Sequence, residues 1–185
     1  DAHALDLARQ VVRRLDSSQK ASEAKSYPEP LYSIDDIMGL VPVDYRQPYE
    51  VREVIARLVD GSDFLDFKAS YGVGTVCVEA EIFGISVGMI ANNGPIDSQG
   101  ATKATHFIQH CSQIGKTLVF LQNTTGFMVG CEAEQSGIIK HGSKLIQAVT
   151  LTACPTITIQ IGASFGAGNY AMCGRAYGPR FLLAW

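Results

Sequence analysis

Long apolar runs, closely spaced cysteines and a strong excess of charge of either sign are all absent from this sequence of 185 residues. No stretch reaches the roughly eighteen consecutive apolar residues of a membrane-spanning helix. The first residues are acidic and polar rather than basic and then apolar, so no targeting signal is visible. A formal net charge of -3 gives no reason to expect a nucleic acid partner. With 46% hydrophobic and 18% charged residues, the composition predicts a soluble globular domain.

The five cysteines predict neither a disulfide framework nor a zinc knuckle, because their number is odd and no two of them lie two residues apart. Cys131 lies in a polar loop, but no histidine is spaced to activate it as a nucleophile. His106 and His110 are four residues apart, yet no matching Glu or Cys accompanies them, so no metal is expected in this chain. The other cysteines lie in apolar surroundings and are expected to be buried thiols: Cys77, Cys111, Cys154 and Cys173.

Hydrophobic periodicity divides the chain into distinct parts. An amphipathic helix over residues 5–15 is followed by a linker rich in Ser, Lys and Pro over 16–30, and then by a short helix capped by Ser33. Helical and β-branched segments alternate from residue 49 onward. The predicted elements are a helix over 49–59, a hairpin of strands 73–80 and 85–92, a helix over 98–114, a strand over 117–121, a helix over 136–151, a strand over 156–161 and a helix starting near Gly166. This alternation is typical of an α/β layered domain whose strand ends carry ligand-binding loops.

The loop over residues 162–169 is the strongest functional signal, because small residues there follow an apolar strand and begin a helix. Free backbone N–H groups at such a helix start can stabilise an anion or a developing oxyanion. The glycines could equally serve only tight helix–sheet packing. The spacing fits neither a P-loop nor a dinucleotide fingerprint. Ser164 is predicted to cap the helix rather than to act as a nucleophile.

The loop over residues 125–130 places a glycine beside Phe127 after a buried strand. Such a pair can wall a flat ligand ring, although Phe127 could instead be a core residue beneath a turn. Gly137 offers another close backbone contact nearby. His141 lies with Lys140 and Lys144 on a helix, where a solvated basic face is expected, and a CoA phosphate could also use that face.

Three stretches of the sequence resemble the carboxyltransferase β subunit of biotin-dependent acyl-CoA carboxylases, in the methylcrotonyl-CoA and geranyl-CoA carboxylase branch. They comprise residues 49–55 with 59–62, residues 120–130 and residues 164–175, and the last two are highly specific. The resemblance extends over nearly the whole chain. It implies that 1–15 ends an N-terminal carboxyltransferase domain, that 16–48 is an interdomain linker and that 49–185 is a truncated C-terminal carboxyltransferase domain.

The resemblance implies an α/β protein with a crotonase-like (ClpP/crotonase) fold, a superhelix of ββα units that is incomplete here. It also implies transfer of the carboxyl group from carboxybiotin to the γ carbon of a branched enoyl-CoA, either 3-methylcrotonyl-CoA or geranyl-CoA. Biotin would be carried by a partner α subunit, and the site would lie between two β subunits. The expected location is the cytoplasm for a bacterial protein and the mitochondrial matrix for a eukaryotic one.

Matching the family's motifs residue by residue implies that the backbone N–H groups of Ala167 and Gly168 hold the biotin ureido oxygen as negative charge builds. Tyr170 matches a position that tunes acyl specificity. Ser136 departs from the family, which usually has glycine there, so that helix start is expected to be less open to a ligand. Six further positions match the surroundings of the biotin pocket: Thr125, Gly126, Phe127, Gly137, Phe165 and Gly166.

The length of the chain also departs from the family, because the N-terminal domain with the acyl-CoA oxyanion pair is almost wholly missing. We therefore expect no carboxyl transfer from these 185 residues alone. A noncatalytic scaffold with the same fold and a propionyl-CoA-type carboxyltransferase remain alternatives. A crotonase-type hydratase or isomerase is disfavoured, since residues 125–130 carry no paired carboxylates for proton transfer. Residues 93–98 and 142–149 look slightly more like geranyl-CoA than methylcrotonyl-CoA carboxylases.

Overall fold

The computed structural model of the protein describes residues 2–15, 27–44 and 46–185 and is built around a six-stranded mixed sheet. The strands are β1 (Phe64–Asp66), β2 (Thr75–Ile82), β3 (Ile85–Asn92), β4 (Thr117–Thr124), β5 (Thr156–Ser164) and β6 (Phe181–Ala184). The α-helices are α1 (Ala2–Leu15), α2 (Ile37–Leu40), α3 (Val51–Ile55), α4 (Ser98–Gln113), α5 (Cys131–Gln135), α6 (Ile138–Leu151) and α7 (Gly166–Ala171).

The sheet keeps sequence order from β1 to β6 and changes from antiparallel to parallel along that order. The pairs β1–β2 and β2–β3 are antiparallel, whereas β3–β4, β4–β5 and β5–β6 are parallel. The hairpin predicted between β2 and β3 is confirmed, with a turn of only two residues. Phe83 and Gly84 both have positive φ, at 52° and 70°, as a type I′ turn requires. The Asp60 carboxylate accepts hydrogen bonds from both of their amides, at 2.9 and 2.6 Å.

Alternating side chains along the strands form two apolar cores, one on each face of the sheet. Cys77, Ile90 and Phe120 point toward α4 and α6, while neighbouring residues such as Val76 and Met89 point toward α3. The alternation follows from the two-residue period of a strand. The fold is therefore an α/β layered structure, as the sequence predicts.

Several predicted boundaries are wrong for identifiable reasons. The helix expected over 49–59 shortens to α3, because residues after Ile55 continue as turns. The helix expected over 136–151 is α6 and begins two residues later, because Gly137 before it is left-handed with a φ of 83°. The short helix α5 was not predicted. The strands at 117–121 and 156–161 run three residues further than predicted, to Thr124 and Ser164. The short strands β1 and β6 were not predicted.

The N-terminal segment contains the predicted amphipathic helix, α1, but its apolar stripe is exposed. Leu5, Val11 and Val12 retain 60%, 45% and 64% of their surface. Arg14 fastens the helix end by donating to the Glu79 carbonyl at 3.3 Å and by pairing with Asp63 at 2.9 Å.

Residues 16–26 of the predicted linker lie outside the described part of the chain. The predicted Ser33 cap is confirmed, because its Oγ accepts from the Asp35 amide at 3.2 Å. The division into domains stays a prediction. No helix in the described ranges combines the length and the apolar character that crossing a bilayer demands.

Candidate active site

The three loops that follow β3, β4 and β5 meet at one edge of the sheet, as the sequence predicts. Ile96 in the first loop forms an isolated parallel bridge with Phe127 in the second. The Ile96 amide donates to the Gly126 carbonyl and the Met128 amide donates to the Ile96 carbonyl, both at 2.9 Å. The Phe165 amide of the third loop donates to the Thr124 carbonyl at 3.4 Å. These backbone bonds fix the second loop between the other two.

Close packing between the second and third loops depends on two glycines. A β-carbon on Gly168 would lie 2.8 Å from the Gly126 Cα and 2.9 Å from the Thr124 Cγ2. Gly126 has a φ of 128°, a conformation that side chains disfavour. The Thr124 hydroxyl lies 3.2 Å from the Gly126 amide and steadies the turn. The small residues therefore do serve packing, one of the two interpretations that the sequence left open.

Two amides at the start of α7 are open, in the sense that no internal acceptor takes them in the described part of the chain. Phe165 occupies the N-cap position, and no side chain caps the helix. Within the described residues, the Ala167 and Gly168 amides have no internal hydrogen-bond acceptor. Ala167 is exposed, and Gly168 is buried against Gly126. The arrangement can thus supply two N–H donors to an oxygen that gains negative charge.

Ser164 is not the helix cap that the sequence predicts. It is the last residue of β5, and its hydroxyl donates to Gln122 Oε1 at 2.7 Å. The same hydroxyl accepts from Asn169 Nδ2 at 2.8 Å. Gln122, fully buried on β4, in turn donates through Nε2 to the Met172 carbonyl at 2.7 Å. Sequence reasoning missed the roles of Gln122 and Asn169. The pair Gln122–Asn123 at the end of an apolar strand signals buried polar chemistry on β4, whereas nothing local signals the role of Asn169.

The predicted ring wall at Phe127 is only partly exposed. Its ring packs against the core beneath α4 and α6, and a β-carbon on Gly142 would lie 3.0 Å from it. Phe127 is therefore partly a core residue, so the expectation of an exposed aromatic is wrong. More accessible aromatic surface comes from Phe165 and Tyr170, which are 49% and 48% exposed. The Tyr170 ring meets that of Tyr177 edge-on at 6.0 Å.

The remaining predicted pocket positions lie in three places: the second loop, the residue before α6 and the start of α7. Thr125 is exposed next to Gly126, and Gly166 begins α7 with a φ of 52°. Gly137 precedes α6, and a β-carbon there would lie 3.3 Å from the His141 ring. The Ser136 hydroxyl lies 2.6 Å from that of Ser98, so it ties the α5–α6 junction to the start of α4.

The basic face expected on α6 is solvated at Lys140 and Lys144, which are both exposed, and only His141 departs from the prediction. His141 is half-buried, and its Nδ1 lies 3.0 Å from the Thr102 hydroxyl. His141, Lys144 and His106 line an open groove of about 560 Å³ between α4 and α6. The groove is not uniformly basic, because threonine, serine and glutamine side chains and the apolar Ile108, Ala148 and Leu151 also line it.

His106 and His110 contact different partners. His106 Nδ1 lies 2.9 Å from Lys68 Nζ, whereas His110 Nε2 lies 3.3 Å from Glu79. Burial lowers the pKa of His106, and the charge of Lys68 lowers it further. Across the described ranges, no three His, Cys, Asp or Glu side chains converge as a metal site would require.

Known proteins resemble this chain over its full length. The family model described as the carboxyl transferase domain matches residues 1–185. The methylcrotonoyl-CoA carboxylase β chain of Arabidopsis thaliana is 48% identical over 192 aligned residues, covering 100% of this chain and 33% of that protein. The corresponding protein of Dictyostelium discoideum is 49% identical and is covered to 32%. Both are described as mitochondrial.

Solved structures of carboxyltransferases also match this chain, and they confirm the crotonase-like fold that the sequence resemblance implies. The geranyl-CoA carboxylase β subunit of P. aeruginosa is 53% identical, with a TM-score of 0.85 over 97% of this chain and 35% of that one. Transcarboxylase 12S, described as a hexamer assembly with hydrolysed methylmalonyl-coenzyme A bound, is 32% identical with a TM-score of 0.87, over 97% of this chain and 37% of that one. This chain therefore spans about a third of the length of the relatives it matches.

Proposed function

Because this chain belongs to the carboxyl transferase domain family, we propose that it forms the biotin side of a carboxyltransferase site in a biotin-dependent acyl-CoA carboxylase. The observation that carries the proposal is the pair of open amides at Ala167 and Gly168. Both follow a turn that Gly126 and Gly168 pack tightly against the second loop. A rigid pair of donors costs no reorganisation when charge develops on a bound oxygen.

The residues present fit a planar urea. The Ala167 and Gly168 amides donate to its oxygen, and the turn around Gly126 leaves room for the ring to approach the backbone. Thr125, Phe165 and Gly166 are exposed, and Phe127 packs partly against the core. Together with Gly137 they form the proposed lining of the biotin pocket. When bound, carboxybiotin supplies the carboxyl group that is transferred. The chain contributes charge stabilisation and positioning rather than a nucleophile.

The proposed acceptor is the γ carbon of a branched enoyl-CoA, either 3-methylcrotonyl-CoA or geranyl-CoA. Relatives acting on each, by their names, are 48% and 53% identical to this chain. We propose that Tyr170 contacts the acyl group; its support is that the side chain is 48% exposed on α7, two residues after Gly168. The proposed partners are a biotin-carrying α subunit, which supplies the cofactor, and further β subunits. The proposed location is the cytoplasm in bacteria and the mitochondrial matrix in eukaryotes.

The test uses the full-length subunit assembled with its biotin-carrying partner. After carboxylation of the partner's biotin, 3-methylcrotonyl-CoA or geranyl-CoA is added, and the carboxylated ester is quantified by mass spectrometry. Formation of a carboxylated product from either ester supports the proposal. If neither ester is carboxylated while propionyl-CoA is, the propionyl-CoA-type alternative is correct. If no ester is carboxylated, the chain is a scaffold that has kept the fold without the chemistry.

A further inference from the structure

A serine stands just before α7 in sequence, and its hydroxyl bonds to other side chains rather than to the helix amides. Ser164 stands two residues before Gly166, the first residue of the helix. Serine is among the preferred helix caps, because its oxygen accepts from the second or third amide of the helix. If Phe165 left its extended conformation (φ -119°, ψ 149°) and joined the helix, Ser164 would become the cap, and its oxygen could take the Ala167 amide. One of the two donors of the proposed site would then be lost.

The structure shows what holds this hydroxyl away. Its proton goes to Gln122 Oε1 at 2.7 Å, and its lone pair accepts from Asn169 Nδ2 at 2.8 Å. Gln122 cannot reverse its amide without losing its own bond, because Nε2 donates to the Met172 carbonyl at 2.7 Å. The chain from Asn169 through Ser164 and Gln122 to Met172 therefore has one consistent donor direction.

Burial makes this hydrogen-bond chain resistant to rearrangement. Gln122 has no exposed surface, so breaking either of its bonds would leave a buried polar atom unpaired. Asn169 is packed as well, since its Oδ1 lies in the space that a side chain on Gly174 would need. Ser164 is thus held from two sides, by β4 beneath it and by α7 above it.

We propose that Gln122 and Asn169 are positioning residues that hold the Ser164 hydroxyl away from the start of α7, and so keep the Ala167 amide free for the ureido oxygen. The inference rests on the proposed function, because it concerns the same pair of amides. Neither residue touches the reacting atoms. Their effect on catalysis depends on the Ser164 hydroxyl. Removing that hydroxyl should therefore suppress the effect of losing either residue.

The decisive experiment is a rescue in the full-length subunit assembled with its biotin-carrying partner. Gln122→Met keeps the side-chain volume but releases Ser164, so the single-turnover rate constant for carboxyl transfer should fall by roughly tenfold. This is less than the ~10²- to 10³-fold that loss of a whole oxyanion donor costs. The KM for the acyl-CoA should stay unchanged, because the amides act on charge that develops in the transition state. The double variant Gln122→Met/Ser164→Ala should recover most of the lost rate, since no hydroxyl remains to compete.

A second pair of variants guards against failure of Gln122→Met to fold. Asn169→Ala removes only the outer bond to Ser164, so it should slow transfer less, and Asn169→Ala/Ser164→Ala should again recover the rate. Double variants as slow as the single ones, or single variants as fast as the wild type, would overturn the inference. A wild-type assembly that carboxylates no ester would overturn the proposed function instead, and the inference with it.

Discussion

Gly168 on α7 packs directly against Gly126 in the preceding loop, so closely that a β-carbon on Gly168 would lie 2.8 Å from the Gly126 Cα. The Gly126 Cα belongs to the backbone, so it cannot rotate away from an added β-carbon as a side chain could. The contact therefore joins two roles: it sets the distance between the second and third loops, and it fixes the direction of the Ala167 and Gly168 amides. Any side chain at position 168 must separate the loops that form the proposed site.

Gly168→Ala should accordingly abolish most of the carboxyl transfer. The loops must move apart, and overpacking of this kind costs about 1–3 kcal/mol of folding stability. We expect the transfer rate to fall by ~10²-fold or more, because misplaced donors lose most of their effect. Single-turnover kinetics and urea denaturation measure the two effects separately.

The matched control for this substitution is Gly39→Ala. Gly39 lies within α2, and a β-carbon there meets no atom within 4 Å. Alanine is the better helix former, so stability should rise by up to about 1 kcal/mol while transfer stays unchanged. Full activity in Gly168→Ala would show that the site does not depend on this contact.

Tyr170 should influence which acyl chain is accepted. Its ring is half exposed and is held edge-on by Tyr177. Tyr170→Ala opens space beside the proposed site, so the ratio of kcat/KM for geranyl-CoA over 3-methylcrotonyl-CoA should rise by roughly tenfold, the range of one hydrophobic contact. Tyr170→Phe keeps the ring and should leave the ratio near that of the wild type.

The control for Tyr170→Ala is Tyr32→Ala, which removes an equally exposed ring that packs on Arg57 beside α3. It should leave the substrate ratio unchanged. An equal preference in the wild type and in Tyr170→Ala would mean that Tyr170 does not contact the acyl group.

The central parts of this fold could be predicted because local signals agree there with tertiary packing. The hairpin carries two runs rich in β-branched residues and α4 has its apolar residues on one helical face, and both elements were found. The strands β1 and β6 were not, because three- and four-residue segments are too short to show a period. Their pairing with β2 and β5 is decided by tertiary contacts.

The candidate site was predictable as a set of loops but not as a set of hydrogen bonds. The small residues before α7 indicated an open backbone, and the Ala167 and Gly168 amides are indeed free of internal acceptors in the described structure. The role of Ser164 could not be read locally, because serine before a helix is typical of a cap. The partner that redirects it, Gln122, is 42 residues away in sequence.

Thiol chemistry should separate the cysteines by burial. Burial raises the pKa of Cys77 and of Cys111 to about 12, so neither forms the reactive thiolate near neutral pH. Cys131 is exposed at the start of α5. Cys154, which the sequence predicts to be buried, is instead half-buried. Ellman's reagent at pH 8 should therefore label Cys131 rapidly in the native protein, Cys154 more slowly, and the buried Cys77, Cys111 and Cys173 only after denaturation. Cys131→Ser should remove the rapid phase, and a rapid phase that persists would place another thiol at the surface.

Lys103 provides the sharpest test of buried electrostatics in the chain. Its side chain on α4 has no exposed surface, and its Nζ has no hydrogen-bond partner in the described ranges. Desolvation lowers its pKa, so the unfolded chain binds the proton more readily than the folded one. The free energy of unfolding should therefore rise with pH between the lowered native pKa and the ordinary value of 10.5.

Lys103→Met keeps the length of the side chain without the charge, so the free energy of unfolding at pH 7 should increase by about 1–3 kcal/mol, the cost of an unpaired buried polar group. Urea denaturation at pH 7 and pH 9.5 measures both effects, and the gain of the wild type at the higher pH should be smaller in the variant. If the variant is instead destabilised by ~3 kcal/mol or more, the ammonium group is paired in the folded protein, since this is the cost of breaking a buried ion pair.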